Sequence, residues 1–198
     1  MKGRVAKGQP VLFRCSMRAF LALPLPPDTA TALLRLQEGF SFGKPVPEEN
    51  LHLTLAFLGD VSETELADID MALGGLGWPS FDVAFEGLDS FTEMDRGLIF
   101  AAVRHSDALD GLQAKITRLV RAAGIALPRR RFRPHVTLIR ANRRPRGMDR
   151  DRIAAQLGAR AEMPGFRAEA VVLYGSTLTP GGAIHEALAR YPLADPLA

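Results

Sequence analysis

Two tetrapeptides carry the chemistry that can be read from this chain: His52-Leu53-Thr54-Leu55 and His135-Val136-Thr137-Leu138. Successive side chains of a β-strand point to opposite faces, so each His shares a face with its Thr while the aliphatic residues anchor the other. An imidazole and a hydroxyl therefore project together, twice. Imidazole is the side chain that changes charge near neutral pH, and a pair of them can serve one reacting group, one giving a proton and the other taking one. A core role explains the repeat poorly, because a buried His or Thr must find a hydrogen-bond partner to offset its desolvation.

Other chemistries fit the residues less well. The four histidines are His52, His105, His135 and His185, with no His-Glu-x-x-His and a single cysteine, Cys15, so no metal-ligand set can be assembled. No Gly-x-Ser-x-Gly elbow is present for a serine hydrolase. His105 falls between a strand end and a helix cap and reads as a surface residue. Arginines crowd both sides of the second motif: Arg129, Arg130, Arg131 and Arg133 before it, Arg140, Arg143, Arg144 and Arg146 after it. Such a flank attracts a polyanion, and its position points to a phosphate-bearing substrate.

The elements that must position these residues alternate along the chain. Residues 1–16 show no periodicity and are expected to be a disordered extension, followed by one domain over 17–195. Arg18 to Leu23 reads as a buried strand closed by prolines, and Asp28 as the N-cap of a helix over Thr29 to Glu38. The first motif strand runs from Leu51 to Leu58. Ser62 with Glu65 forms a capping box for the next helix, which ends at Gly74-Gly75. Phe81 to Glu86 alternates as a half-buried strand, and Arg96-Gly97 turns into a second, Leu98 to Val103. Ser106 caps the longest helix, with Leu109, Leu112, Ile116, Leu119 and Val120 on one face. The second motif strand spans Phe132 to Arg140, then a short helix Asp151 to Leu157, and two closing strands, Ala168 to Tyr174 and His185 to Leu193. The order predicts two similar α+β lobes with the motif strands facing across a groove.

With 198 residues, 47% hydrophobic, 24% charged and a net charge of +3, the composition is that of an ordinary soluble domain. No stretch reaches the ~20 apolar residues of a membrane span. The early apolar run is broken by Arg14 and Arg18, so a secretory signal is not expected, and a lone cysteine agrees with a cytoplasmic protein.

The stretches Asn50-Leu51-His52-Leu53-Thr54-Leu55-Ala56-Phe57-Leu58-Gly59 and Arg131-Phe132-Arg133-Pro134-His135-Val136-Thr137-Leu138-Ile139-Arg140 resemble the paired signatures of the 2H phosphoesterase superfamily. The closest likeness is to its bacterial and archaeal RNA 2',3'-cyclic phosphodiesterase branch, also called 2'-5' RNA ligase-like. The likeness begins at Arg18 and reaches the final strand. It implies a bilobal α+β fold with antiparallel sheets around a central groove and helices outside. It also implies metal-independent hydrolysis of RNA 2',3'-cyclic phosphate ends to 2'-phosphomonoesters, with reverse 2'-5' joining chemically permitted. By this resemblance His52 is the proton donor and His135 the proton acceptor. Thr54, Thr137 and Arg140 hold the phosphate, and Phe57 stacks on the terminal base. Strict alternation points Phe57 away from His52, so a bulge or a strand end is needed to reconcile the two.

The implied protein is a monomer that needs no cofactor and no metal, touches no membrane and takes RNA ends, tRNA fragments among their sources. One departure stands in the last strand, where the family commonly has Tyr and this chain reads Ala183-Ile184-His185-Glu186. His185 is expected at the surface, with a place beside the groove as the alternative. Two other functions remain open: opening the cyclic phosphate of a small nucleotide or ADP-ribose derivative, and binding RNA ends without turnover.

Overall fold

The computed structural model describes residues 16–90, 97–141, 143, 145–158 and 162–194. Residues 1–15 of the extension expected over 1–16, Arg96 of the expected turn, Arg144 and residue 195 at the domain's expected end lie outside them; Ser16, expected in the extension, instead opens the first strand opposite Ser62.

The first half of the chain folds into β1 (Ser16–Pro24), α1 (Pro27–Glu38), a two-residue β2 (Lys44–Pro45), β3 (His52–Ser62) and α2 (Glu63–Gly74). There follow β4 (Phe81–Val83), β5 (Phe85–Ser90), β6 (Leu98–Val103), α3 (Asp107–Ala122) and β7 (His135–Arg140). The chain closes with α4 (Met148–Gly158), β8 (Phe166–Ala168), β9 (Ala170–Thr179) and β10 (Gly182–Pro192). One sheet carries the site, in the order β10-β9-β1-β3-β7-β6-β5, with every neighbouring pair antiparallel and β2 on the edge of β7.

That sheet is two sheets joined at one point. β3 and β7 pair only through Leu53 and Val136, because β2 takes the rest of the same β7 edge with Lys44 opposite Arg140 and Pro45 opposite Ile139. Leu53 and Val136 each stand one residue after a motif His, so equivalent residues face each other across an antiparallel pair. This is the signature of a local two-fold axis. The flanking positions bring His52 alongside Thr137 and Thr54 alongside His135, all on the face opposite Leu53 and Val136. The two expected lobes are these halves, β10-β9-β1-β3 and β7-β6-β5, and the groove opens where their strands part.

The helices cover the other face. Leu21, Leu23, Leu53, Val136 and Leu138 are all fully enclosed there. α3 presents Leu109, Leu112, Ile116 and Val120 inward, at most 1% exposed, as their spacing predicts. Two helices cross over: α1 follows β1 but packs on β7, and α3 follows β6 but packs on β3.

Several boundaries differ from expectation. α1 starts at Pro27 with Pro26 as an N-cap that offers no side chain. Asp28 sits in the first turn, where its charge faces the positive helix end. The capping box is present: Glu65 N–H donates to Ser62 Oγ at 3.3 Å and Ser62 N–H to Glu65 Oε2 at 2.7 Å. The alternating run Phe81 to Glu86 is split at Ala84, with β4 pairing β8 in a separate two-stranded sheet and β5 pairing β6. Period-2 alternation cannot register such a change of partner. β7 begins at His135 because Pro134, just before it, has no N–H for a ladder.

Candidate active site

Each motif strand carries a β-bulge at the same place. In β3, Ala22 faces Thr54 and Leu21 faces Ala56, leaving Leu55 without an opposite residue. In β7, Phe100 faces Thr137 and Ile99 faces Ile139, leaving Leu138 out. Both bulged leucines stand three residues after their His. The extra residue reverses the alternation, so the side chain five residues after each His returns to the imidazole face. In the first half that residue is Phe57, opposite Phe20 and 65% exposed. In the second it is Arg140, also exposed. The two-fold axis thus relates an aromatic ring to a guanidinium, which makes the otherwise repeated groove one-sided. Gly43 packs against this strand: its φ is +82°, and a Cβ there would meet Ile139 Cγ2 at 2.6 Å and the Arg140 carbonyl at 2.9 Å.

Each imidazole is held by an aromatic ring and by a backbone carbonyl, among other contacts. The His52 ring rests on Phe20 with centroids 4.6 Å apart, and the His135 ring on Phe100 at 5.0 Å. His135 Nδ1 lies 2.7 Å from the Arg133 carbonyl, which can only accept, so this nitrogen carries the proton. His52 makes the matching bond to the Asn50 carbonyl, again two residues earlier. The remaining nitrogen of each neutral ring is left as an acceptor.

The electrostatics favour an anion. Burial, and after it the charges of His185, Arg140 and His135, push His52 down to about 4 despite the Asn50 bond. Burial likewise lowers His135, with Arg140 and Arg133 adding to it. Arg140 reaches all three imidazoles, since it also lowers His185. No carboxylate among the described residues is bonded to Arg140. Burial lowers its guanidinium from the ordinary value, but an arginine still carries its charge at neutral pH. The groove therefore holds the permanent charge of Arg140 beside two rings that gain protons when a negative group enters. Among the described residues no cluster of three or more His, Cys, Asp or Glu is arranged to hold a metal ion.

All six residues picked out by the sequence, His52, Thr54, Phe57, His135, Thr137 and Arg140, lie on the groove face. The expectation for His185 needs correction, because it is not a free surface residue. Its ring meets Phe20 edge-on at 4.9 Å and His52 at 5.5 Å, and its Nδ1 is buried with no hydrogen-bond partner among the described residues. It comes there because β10 places His185 opposite Ser176, two positions along from the pair Ala187 and Tyr174. Sequence reasoning also missed Phe20, Phe100, Asn50 and Tyr174. Tyr174 stacks on Phe20 at 5.2 Å, and Asn50 donates from Nδ2 to the Ala183 carbonyl at 2.8 Å, tying the first motif to β10. The alternating patterns of β1 and β9 could have placed Phe20 and Tyr174 on one face, but not on the same face as His52.

The basic flank divides. Arg129, Arg130 and Arg131 are exposed. Arg133 is 3.8 Å from Asp89, and Arg143 bonds Asp149 at 2.9 Å and lies over Phe42. His105 is exposed with Nδ1 2.8 Å from Asp110, in keeping with a surface role.

This arrangement has known counterparts. Over residues 25–177 the sequence matches the 2'-5' RNA ligase superfamily, well over half of the chain. The chain belongs to that superfamily. Within it, it is a member of the bacterial and archaeal RNA 2',3'-cyclic phosphodiesterase family, a branch of the 2H phosphoesterases. An RNA 2',3'-cyclic phosphodiesterase of Thermus thermophilus is 31% identical across 89% of this chain and 90% of the relative. One from Methanothermobacter thermautotrophicus is 30% identical across 85% and 95%. The chain spans 41% of the Geobacillus stearothermophilus relative, at 34% identity, and 56% of that from Aeropyrum pernix, at 32%. Among solved structures, one from Thermus thermophilus superposes with a TM-score of 0.74 at 27% identity, over 91% of this chain and all of that one. Escherichia coli LigT gives 0.73 at 23% identity over 91% and 99%, a likeness of fold.

Proposed function

We infer that the groove opens 2',3'-cyclic phosphates at RNA ends by two-histidine acid–base catalysis without a metal. What chiefly supports it is the convergence of both His-Thr pairs and Arg140 on one groove face around a two-fold axis. Relatives over nearly their full length carry the name of this activity. One solved LigT structure is a complex with 3'-AMP.

The cyclic diester carries one negative charge, which Arg140 attracts and which raises the proton affinity of the neighbouring rings. One imidazole is then protonated and the other neutral. Following the family pattern, His135 takes a proton from water as its oxygen attacks phosphorus. His52 gives a proton to the ribose 3' oxygen as the P–O3' bond breaks. The products are a 2'-phosphomonoester and a 3'-hydroxyl, with one water consumed and the pair left in swapped protonation states. Thr54 and Thr137 donate hydroxyl bonds to the nonbridging oxygens, where charge builds in the transition state. Phe57 stacks on the terminal base. With a 5'-hydroxyl in place of water the same steps join two ends through a 2'-5' bond, His135 taking the proton of that hydroxyl and His52 protonating the leaving 3' oxygen.

The test is hydrolysis of a short RNA ending in a 2',3'-cyclic phosphate, in EDTA. Wild type should yield the 2'-phosphate end, and His52→Ala and His135→Ala should each lose about 100-fold to 10,000-fold in rate. Absence of turnover by wild type, or turnover indifferent to either substitution, would overturn the assignment. Turnover of small cyclic nucleotides alone would move the substrate class.

A further inference from the structure

The two bulges raise a question of their own, since Leu55 and Leu138 are only 3% and 0% exposed. A backbone carbonyl lifted out of a ladder there has no water to bond. In each half a glutamine supplies a donor. Gln113 of α3 donates from Nε2 to the Leu55 carbonyl at 3.3 Å and to Thr117 Oγ1 at 3.1 Å. Gln37 of α1, itself buried, donates from Nε2 to the Leu138 carbonyl at 3.1 Å and to the Val46 carbonyl at 2.9 Å. The Val46 N–H also donates to the Leu138 carbonyl, at 2.8 Å. So the carbonyl of the same bulged residue is held by the same side-chain type in both motifs, each time from the helix that crosses over from the other half.

We propose that Gln37 and Gln113 are positioning residues, each holding one bulge open and through it keeping Arg140 and Phe57, respectively, on the groove face. The proposal rests on the groove being a cyclic-phosphate site. Its physical basis is register. Closing a bulge into a regular ladder moves every later side chain to the opposite face. Phe57 would turn toward the core and Leu58 into the groove, and Arg140 would leave the imidazoles. A glutamine that bonds the bulged carbonyl favours the bulged form over that alternative, whereas a hydrophobic residue of equal length does not.

Gln37→Met and Gln113→Met keep the length and lose the donor. Binding of inorganic phosphate, measured by titration calorimetry, should weaken about 10-fold or more in Gln37→Met, the scale of one charge-assisted bond. In an Arg140→Ala background the same change should cost nothing further. Gln113→Met should lower kcat/KM on an RNA end bearing its base by about 5- to 150-fold, the range of one base–aromatic stack. On an abasic end it should leave kcat/KM unchanged, and in a Phe57→Ala background it should have no effect on either substrate. Losses that add to those of Arg140→Ala and Phe57→Ala, or that fall equally on base-bearing and abasic ends, would overturn the proposal, since a purely structural role predicts them. Should Gln37→Met fail to fold, the partly exposed Gln113 decides the outcome alone. If wild type leaves cyclic-phosphate RNA intact, the assigned reaction fails, while the phosphate titrations still judge Gln37.

Discussion

At the scale of single residues, the depressed imidazoles set the pH behaviour. His52 is held at about 4 rather than 6.5, so between those values the unfolded chain binds a proton that the folded one refuses. Stability therefore rises with pH across that window and is lost on acidification through it. Thermal melts should show a midpoint lower at pH 4.5 than at pH 7, with a smaller drop in His52→Ala. Sulfate keeps its charge throughout this range and should protect more at pH 5 than at pH 8, because it favours the protonated rings. In catalysis, kcat/KM reports the free pair and should fall about tenfold per pH unit above its higher apparent pKa. The kcat profile reports the loaded groove and should hold to higher pH; coincident profiles would count against coupling between substrate charge and the rings. His185 contributes to the low value of His52, so His185→Phe should raise it, which an NMR titration of the imidazole can read. The sequence disclosed both His-Thr pairs because they recur in phase in two short motifs, whereas Phe57 and Arg140 were legible only through the family resemblance. It could not place His185, whose partners Phe20 and His52 come from two other strands.

At the scale of elements, local signals were legible where one segment decides and opaque where two must agree. The Ser62 capping box and the inward stripe of α3 were readable because cap and periodicity lie within a dozen residues. Ser62→Ala should cost about 0.5–2 kcal/mol by chemical denaturation, with little effect on turnover. The split of Phe81 to Ser90 between two sheets was not readable, since it depends on β8 arriving from far along the chain. The bulges are an intermediate case. Parity, with Phe57 placed beside His52 by the family resemblance, called for either a bulge or a strand end between them, and the register with β1 shows the bulge at Leu55. That Arg140 needs the same device in β7 follows from the same odd spacing.

At the scale of the whole molecule, the contact that matters most is the smallest. Leu53 and Val136 join the halves by one pair, both wholly enclosed. Leu53→Ala should cost about 2–5 kcal/mol, as for other buried Leu truncations. It should also lower kcat, because the two imidazoles are registered through that pair; a fall in melting temperature with unchanged kcat would show that the halves hold their alignment by other means. The bilobal α+β plan was legible from the doubled strand–helix–strand order, but its handover of helices was not, since no local pattern says which strand a helix will cover. That handover has a further meaning. β1–α1–β3 made alone would leave α1 without the strand it covers, β7, and β6–α3–β7 would leave α3 without β3. Each unit offers its helix to the motif strand of the other. The molecule is in this sense a helix-swapped pair of units written into one polypeptide, closed further by β9 and β10, which return from the end of the chain to pair with β1.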